Sequence, residues 1–195
     1  MVSRKTSFVT PLARWPSWMR RGLDAIVTVG SLLLCLLLLP TRIPGMELLG
    51  IGPNWLLIWV VAWSLNRTVW QGVLAGLTIG IVQDGMSSSH PTHAASLIAV
   101  GVLAARLQKQ RYIQEDFISV ALVVFGMSVV AETVTALQFS IDSLWGDASG
   151  TGRSLSEIWT YHQRVTLASA ILSSLWAPAI YFPLDRWWGK MNLLE

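Results

Sequence analysis

Two acidic residues stand in stretches of this 195-residue sequence that otherwise carry almost no charge. Glu132 lies inside the apolar run 117–137, where a charged side chain would cost on the order of 3 kcal/mol in the centre of a bilayer. Its best basic partner in the sequence is Arg164, with His162 close by. We favour an internal pair between Glu132 and Arg164, and contact with a partner protein or a solute is the alternative.

Asp84, the second acid, ends an apolar run that begins near Val69. At this boundary a carboxylate costs less than in the bilayer centre, and it could hold an ion or a proton. Three serines follow closely, at positions 87–89, and a side chain at a helix end readily forms hydrogen bonds with such neighbours. We therefore favour a cap that fixes the loop 85–91 over an ion or proton site.

Asp84 is also the last position of a regular pattern of small residues. Gly72, Gly76 and Gly80 precede it at intervals of four residues. At about 3.6 residues per turn, these positions form a ridge without side chains along one helix face. Such a ridge lets a second helix approach closely, which is how helices associate in lipid. The pattern predicts a close helix contact. We favour a contact within this chain, and contact with another protein is the alternative.

Two histidines could bind a metal ion, but their spacing supports this only weakly. His90 and His93 lie on either side of Pro91, and no third ligand accompanies them at a spacing typical of metal sites. The sequence contains no catalytic triad pattern, phosphate-binding loop or metalloprotease motif. It therefore predicts no metal, no cofactor and no enzymatic activity.

The elements that position these residues must be helices in a membrane. The sequence is 53% hydrophobic and 13% charged, which is more apolar than a soluble core of this size could bury. Long apolar runs between short polar segments predict an all-α polytopic membrane protein. Six transmembrane helices are predicted, at about 24–39, 53–65, 69–84, 92–107, 117–137 and 164–183.

The second predicted span has a clear start. Pro53 is tolerated at a helix N-terminus, and Asn54 follows within the first turn. Trp55, Trp59 and Trp63 then recur every four residues, which places three indoles on one stripe. We interpret this stripe as packing and interfacial anchoring rather than as a ligand site, because tryptophan is enriched at membrane boundaries.

Basic residues are distributed unevenly among the predicted loops. With the N-terminus inside, eleven of the 14 Lys and Arg residues lie in cytoplasmic segments and three in external ones. This bias predicts an even number of spans and both termini in the cytoplasm. The chain then comprises a basic tail 1–22, a transmembrane domain 23–185 with a long external loop 139–161, and a tail 186–195. Because the basic residues form no patch with interleaved aromatics, we expect no nucleic-acid partner.

The pattern from Pro53 and Asn54 through the glycine ridge to Asp84, followed by a helix that begins near His93, resembles the rod shape-determining protein MreD family. The resemblance covers about residues 53–108. It implies a component of the bacterial cell-elongation machinery in the plasma membrane. The implied partners are an MreC-like protein, the MreB-type filament, a RodA-type polymerase and a penicillin-binding transpeptidase. The implied fold is like that of the substrate-binding subunits of energy-coupling-factor transporters.

Two functions are compatible with these features. The first is a non-catalytic scaffold for cell shape and peptidoglycan synthesis, whose glycine ridge and acids arrange helices so that a partner's span can dock. In this function the basic loop 106–111 faces cytoplasmic partners or membrane lipid. The alternative is a solute-binding subunit of a vitamin-type transporter, in which Glu132, Arg164 and His162 line an external pocket.

Overall fold

The protein is a bundle of α-helices. The computed structural model describes residues 16–41, 46–48, 50–87, 92–109, 116–145 and 155–192, and none of these residues belongs to a β-strand beyond an isolated bridge. Six helices are present in this part of the chain. They are α1 (Ser17–Leu38), α2 (Trp55–Leu65), α3 (Val69–Met86), α4 (His93–Lys109), α5 (Phe117–Trp145) and α6 (Leu155–Asn192). The all-α fold class predicted from the sequence is confirmed for these residues.

Three of the helices are long and apolar enough to cross a membrane. They are α1, residues 117–142 of α5 and residues 158–191 of α6. Two further segments, α2 and residues 93–107 of α4, are apolar but shorter. These helices fit a membrane protein, because long apolar helix surfaces are stable in contact with hydrocarbon rather than water.

The helix ends differ from the sequence prediction where the chain is polar. The helix α1 begins at Ser17, inside the predicted tail 1–22, and α6 continues to Asn192, inside the predicted tail 186–195. The segment 139–161 is not a loop over its whole length, because α5 includes 139–145 and α6 includes 155–161. Hydropathy marks only the apolar part of a helix, whereas backbone hydrogen bonds continue wherever the side chains remain compatible with a helix.

The short helix α2 occupies the centre of the bundle. It contacts all five other helices, and every residue in it except Trp63 is buried. A helix that is apolar on all sides is expected to be surrounded by protein or lipid. Its 11 residues span only about 16 Å, roughly half of a hydrocarbon core. The core of the protein is therefore built around a helix that does not by itself cross the membrane.

Both polar ends of α2 are fastened to α6. The backbone N–H of Asn54 donates to Ser173 Oγ at 2.9 Å, and Asn66 Nδ2 donates to Asp185 Oδ1 at 2.8 Å. Each bond joins residues 119 positions apart in the sequence. Because the offset is the same at both ends, α2 and this part of α6 run parallel and in register.

The segment of α6 between these two bonds contains Pro178 and Pro183. Proline has no N–H to donate within a helix, and it weakens or kinks a helix at its position. The chain nevertheless remains helical through both prolines. The hydrogen bonds to α2 thus bracket the part of α6 whose own backbone hydrogen bonding is incomplete.

The first helix is the most exposed of the three long apolar helices. Three tryptophans of α2 and α6 hold α1 in place, because their indole N–H groups donate hydrogen bonds to polar side chains of α1. Trp59 donates to Ser31 at 2.9 Å, Trp187 to Asp24 at 3.1 Å and Trp188 to Thr28 at 3.3 Å.

Candidate functional site

The glycine ridge of α3 lies directly against α4. A Cβ atom added to Gly72 would lie 2.5 Å from the carbonyl oxygen of Gly101, and one added to Gly76 would lie 2.6 Å from the carbonyl carbon of Leu97. A Cβ on Gly80 would meet the backbone of Ala94, 2.7 Å from its nitrogen. These distances leave no room for any side chain. The two helices therefore pack backbone against backbone along the whole ridge.

The partner helix contributes a glycine of its own. A Cβ added to Gly101 would collide with the backbone of Gly72, so the omission of side chains is reciprocal at this end of the contact. At the other end Gly80 faces Ala94, the next smallest residue. Gly72 faces Gly101 and Gly80 faces Ala94, so the helices are antiparallel. Gly101 and Ala94 were not predicted as contact residues, although small residues on one face of an apolar helix indicate close packing.

Asp84 caps the first turn of α4. Its Oδ1 accepts a hydrogen bond from the backbone N–H of His93 at 2.7 Å and lies 2.8 Å from His93 Nδ1, and its Oδ2 accepts from the N–H of Ala94 at 3.4 Å. The first N–H groups of a helix have no partner within the helix, and a carboxylate there also interacts favourably with the helix dipole. Asp84, which precedes the loop 85–91, is thus hydrogen-bonded to the helix that follows this loop. Ser87 donates to Gln83 instead.

The start of α4 is also held from α5. Gln138 Oε1 accepts from the backbone N–H of Thr92 at 3.0 Å and from its hydroxyl at 3.2 Å, and Gln138 Nε2 donates to the Thr92 carbonyl at 3.2 Å. One amide side chain thus satisfies the backbone of Thr92 in both directions. Gln138 was not predicted as a site residue. A polar residue near the end of an apolar helix gave no indication of its partner.

Glu132 pairs with His162 and not with Arg164. Its Oε2 lies 3.6 Å from His162 Nδ1, and both side chains are largely enclosed between α5 and α6. Arg164 is exposed, and no ion pair among the described residues joins it to Glu132. The reason is helical geometry: α6 begins at Leu155, so positions 162 and 164 lie on different faces of one helix. The favoured pair of Glu132 with Arg164 is therefore absent among the described residues, and the neighbouring histidine contacts Glu132 instead.

The two acid–histidine pairs form one group, which we call the outer polar cluster: Asp84, His93, Glu132 and His162. Glu132 is within electrostatic reach of His93 as well as of His162. Each residue comes from a different helix, from α3 to α6 in order. In the described part of the chain, no group of three or more His, Cys, Asp or Glu side chains is arranged to hold a metal ion. His90, the other half of the weak metal pattern, lies outside the described residues.

The opening of α2 and its tryptophan stripe are structural. Asn54 caps the helix by accepting a hydrogen bond from the N–H of Leu57 at 3.1 Å, and the half-buried Pro53 precedes it. The three indoles pack in different ways along the stripe. Trp55 lies 5.9 Å from Trp176, Trp59 and Trp63 stack at 5.5 Å, and Trp63 meets Trp188 edge to face at 5.1 Å, measured between ring centroids.

The arrangement of these residues favours rigidity. Along the ridge, α3 and α4 are in backbone contact. At one end of the bundle, side-chain hydrogen bonds connect α3, the start of α4 and α5, and the contact between Glu132 and His162 connects α5 to α6. Interhelical polar contacts in a membrane contribute about 0.6 kcal/mol each on average, so several together fix the relative positions of helices. This geometry therefore supports a helical surface whose shape is fixed.

A comparison with protein families identifies the family of this chain. The family model described as rod shape-determining protein MreD matches residues 20–184, which is most of the chain and extends far beyond the motif around the glycine ridge. No curated protein and no solved structure matches significantly. The matched range contains all of the residues of the ridge and of the outer polar cluster. The protein therefore belongs to the MreD family of rod shape-determining membrane proteins.

Proposed function

We propose that this protein is a non-catalytic membrane scaffold of the cell-elongation machinery, through which peptidoglycan synthesis is regulated by protein contacts. Family membership supports a role in rod shape. The observation that carries the scaffold role is the backbone contact between α3 and α4, together with the cap of Asp84. A scaffold needs a surface of fixed shape, and this contact fixes two helices without flexible side chains between them.

The surface offered to a partner lies on the other side of α3. Trp70, Leu74 and Ile81 project from the helix face opposite the glycine ridge, and they are 72%, 50% and 58% exposed. In lipid, a single span of a partner can pack against such a face. The partner we propose is an MreC-like protein with one transmembrane helix. A RodA-type polymerase, a penicillin-binding transpeptidase and the MreB-type filament would be joined through the same assembly.

We also propose six transmembrane segments with both termini in the cytoplasm. The parallel course of α2 and α6 supports this topology, because the second and sixth spans of an alternating bundle point in the same direction. The antiparallel contact between α3 and α4 agrees with it as well. The short α2 would cross together with the chain that precedes it, and its buried ends would remain hydrogen-bonded to α6.

The proposed topology predicts opposite labelling at the two ends of the bundle. Met86 and Gly189 are exposed, the first at the proposed outer end and the second at the proposed inner end. In a background in which the buried Cys35 is replaced by serine, we expect a membrane-impermeant maleimide to label Met86→Cys in intact cells and to label Gly189→Cys only after the membrane is opened. Labelling of both positions in intact cells, or of Gly189→Cys alone, would contradict the topology.

The scaffold proposal is tested by substitutions on the proposed docking face. We expect Leu74→Trp combined with Ile81→Trp to reduce co-purification of the MreC-like protein at least about tenfold, since a bulge of two indoles costs about 1–3 kcal/mol of packing. The matched control is Leu122→Trp, because Leu122 on α5 is 69% exposed and belongs to another face. Equal co-purification with both variants would refute the docking face. Recovery of paired ATPases with a bound small molecule would refute the scaffold in favour of solute transport.

A further inference from the structure

A basic cleft opens at the end of the bundle away from the outer polar cluster. Its volume is about 690 Å³, and it lies between the first turns of α1, the end of α2 and the end of α6. Three arginines line it: Arg20, Arg21 and Arg67. Ser17 and Thr28 contribute hydroxyl groups. This is a concave site in which guanidinium and hydroxyl donors converge.

The electrostatics of the cleft favour an anion. Among the described residues that line the cleft, Arg21 and Arg67 outnumber the one carboxylate, Asp24, which already accepts a hydrogen bond from the indole of Trp187 at 3.1 Å. Arg20 also lines the cleft but has an interaction of its own. The guanidinium of Arg67 is held in place over the Trp63 ring, 4.5 Å from its centroid. A fixed guanidinium loses less conformational entropy when it binds, and its planar geometry matches a phosphate. Arg21 and Arg67 thus give the described lining of the cleft an excess of positive charge, and Arg67 is already held in position.

One wall of the cleft continues as an apolar surface. Ala25 and Val29 line the cleft itself, and along the same side of α1 the side chains of Leu33 and Leu37 follow one turn apart. Val29, Leu33 and Leu37 are all more than half exposed. A ligand that is bound to the arginines and extends out of the cleft would therefore contact this apolar surface of α1. Free phosphate would use only the basic part of this site, whereas an amphiphile would use both parts.

We propose that this cleft binds the headgroup of an anionic phospholipid, with the acyl chains lying along α1. Basic pockets between transmembrane helices are suited to acidic headgroups, and each arginine near the membrane surface contributes on the order of 1 kcal/mol, or about fivefold in affinity. The bound lipid would fill the space between α1 and the ends of α2 and α6. It would thereby fasten the helix that has the fewest contacts with the bundle.

The test measures lipid binding to the full-length protein directly. Delipidated protein in neutral detergent is titrated with phosphatidylglycerol or with phosphatidylcholine of the same chains, and the bound lipids are counted by native mass spectrometry. We expect one phosphatidylglycerol to bind at least tenfold more tightly than phosphatidylcholine. Arg21→Gln and Arg67→Gln should each weaken that binding about fivefold. Millimolar inorganic phosphate should not displace the lipid.

The matched control is Arg186→Gln, because Arg186 is an exposed arginine near the end of α6 that does not line the cleft. It should leave the affinity for phosphatidylglycerol unchanged. Arg67 packs on Trp63, so if its variant does not fold, the exposed Arg21 alone decides the comparison. Equal affinity for the two lipids, equal loss with Arg186→Gln and Arg21→Gln, or displacement by phosphate would each overturn the lipid site.

Discussion

Gly76→Leu is expected to disrupt the α3–α4 contact and to leave little folded protein. A Cβ at this position would already collide with the backbone at Leu97 and Ile98, and backbone atoms cannot rotate away as a side chain can. Overpacking in a core costs about 1–3 kcal/mol and occasionally more, and a clash with a helix backbone belongs at the upper end of that range. We expect Gly76→Ala to destabilise by about 1–3 kcal/mol and Gly76→Leu by more.

Thermal unfolding in a mild detergent, followed by size-exclusion chromatography, measures this effect. Gly126 provides the matched control, because it is also a glycine in an apolar helix, yet an added Cβ there would have no atom within 4 Å. Gly126→Leu should unfold at nearly the wild-type temperature. If Gly76→Leu and Gly126→Leu were equally stable, the glycine ridge would have no structural role, and the scaffold proposal would lose its principal support.

Asp84→Ala is expected to destabilise the protein by about 2–3 kcal/mol. The substitution removes an acceptor from the N–H groups of His93 and Ala94 and from the His93 ring. Hydrogen bonds to a charged group contribute about 1.5–3 kcal/mol, and buried donors that lose their partner retain the cost of desolvation. The first turn of α4 should fray, so the amide hydrogens of residues 93 and 94 should exchange with solvent faster than in the wild type.

The substitution Asp84→Asn distinguishes the hydrogen-bonding contribution of the cap from the contribution of its negative charge. Its amide oxygen can still accept from the backbone N–H of His93, but the side chain no longer carries the negative charge that interacts with the helix dipole. We therefore expect a loss about half as large, with amide exchange at His93 still slow. A wild-type exchange rate in Asp84→Ala would mean that the cap at the start of α4 is made by other groups, such as Gln138.

Sequence reasoning identified those features that depend on local spacing. The glycine ridge was visible because residues four apart share a helix face, and the start of α2 was visible because proline and asparagine have strong positional preferences. The family, predicted from these same residues, is confirmed by a match over most of the chain. Hydropathy also gave the correct fold class, since an apolar run needs no information about its neighbours.

Features that depend on distant residues were not predictable in the same way. His162 rather than Arg164 contacts Glu132. Which face of α6 points towards α5 could not be predicted there, because this part of α6 is polar and hydropathy does not mark its buried face. The bonds from Gln138 to Thr92 and from Asn54 to Ser173 join residues far apart in the sequence. Each of these residues is an ordinary polar side chain by itself, and only the packing of the helices gives it a partner.

The two hydrogen bonds on either side of the prolines of α6 allow α2 to restrain the bending of α6. A helix with two missing backbone bonds is a natural hinge, but bending at Pro178 or Pro183 would change the distance between Ser173 and Asp185, whose partners are held apart by the rigid α2. Bending of α6 is therefore restrained on both sides of its prolines. Loss of either hydrogen bond would therefore remove a constraint on bending of α6 at its prolines.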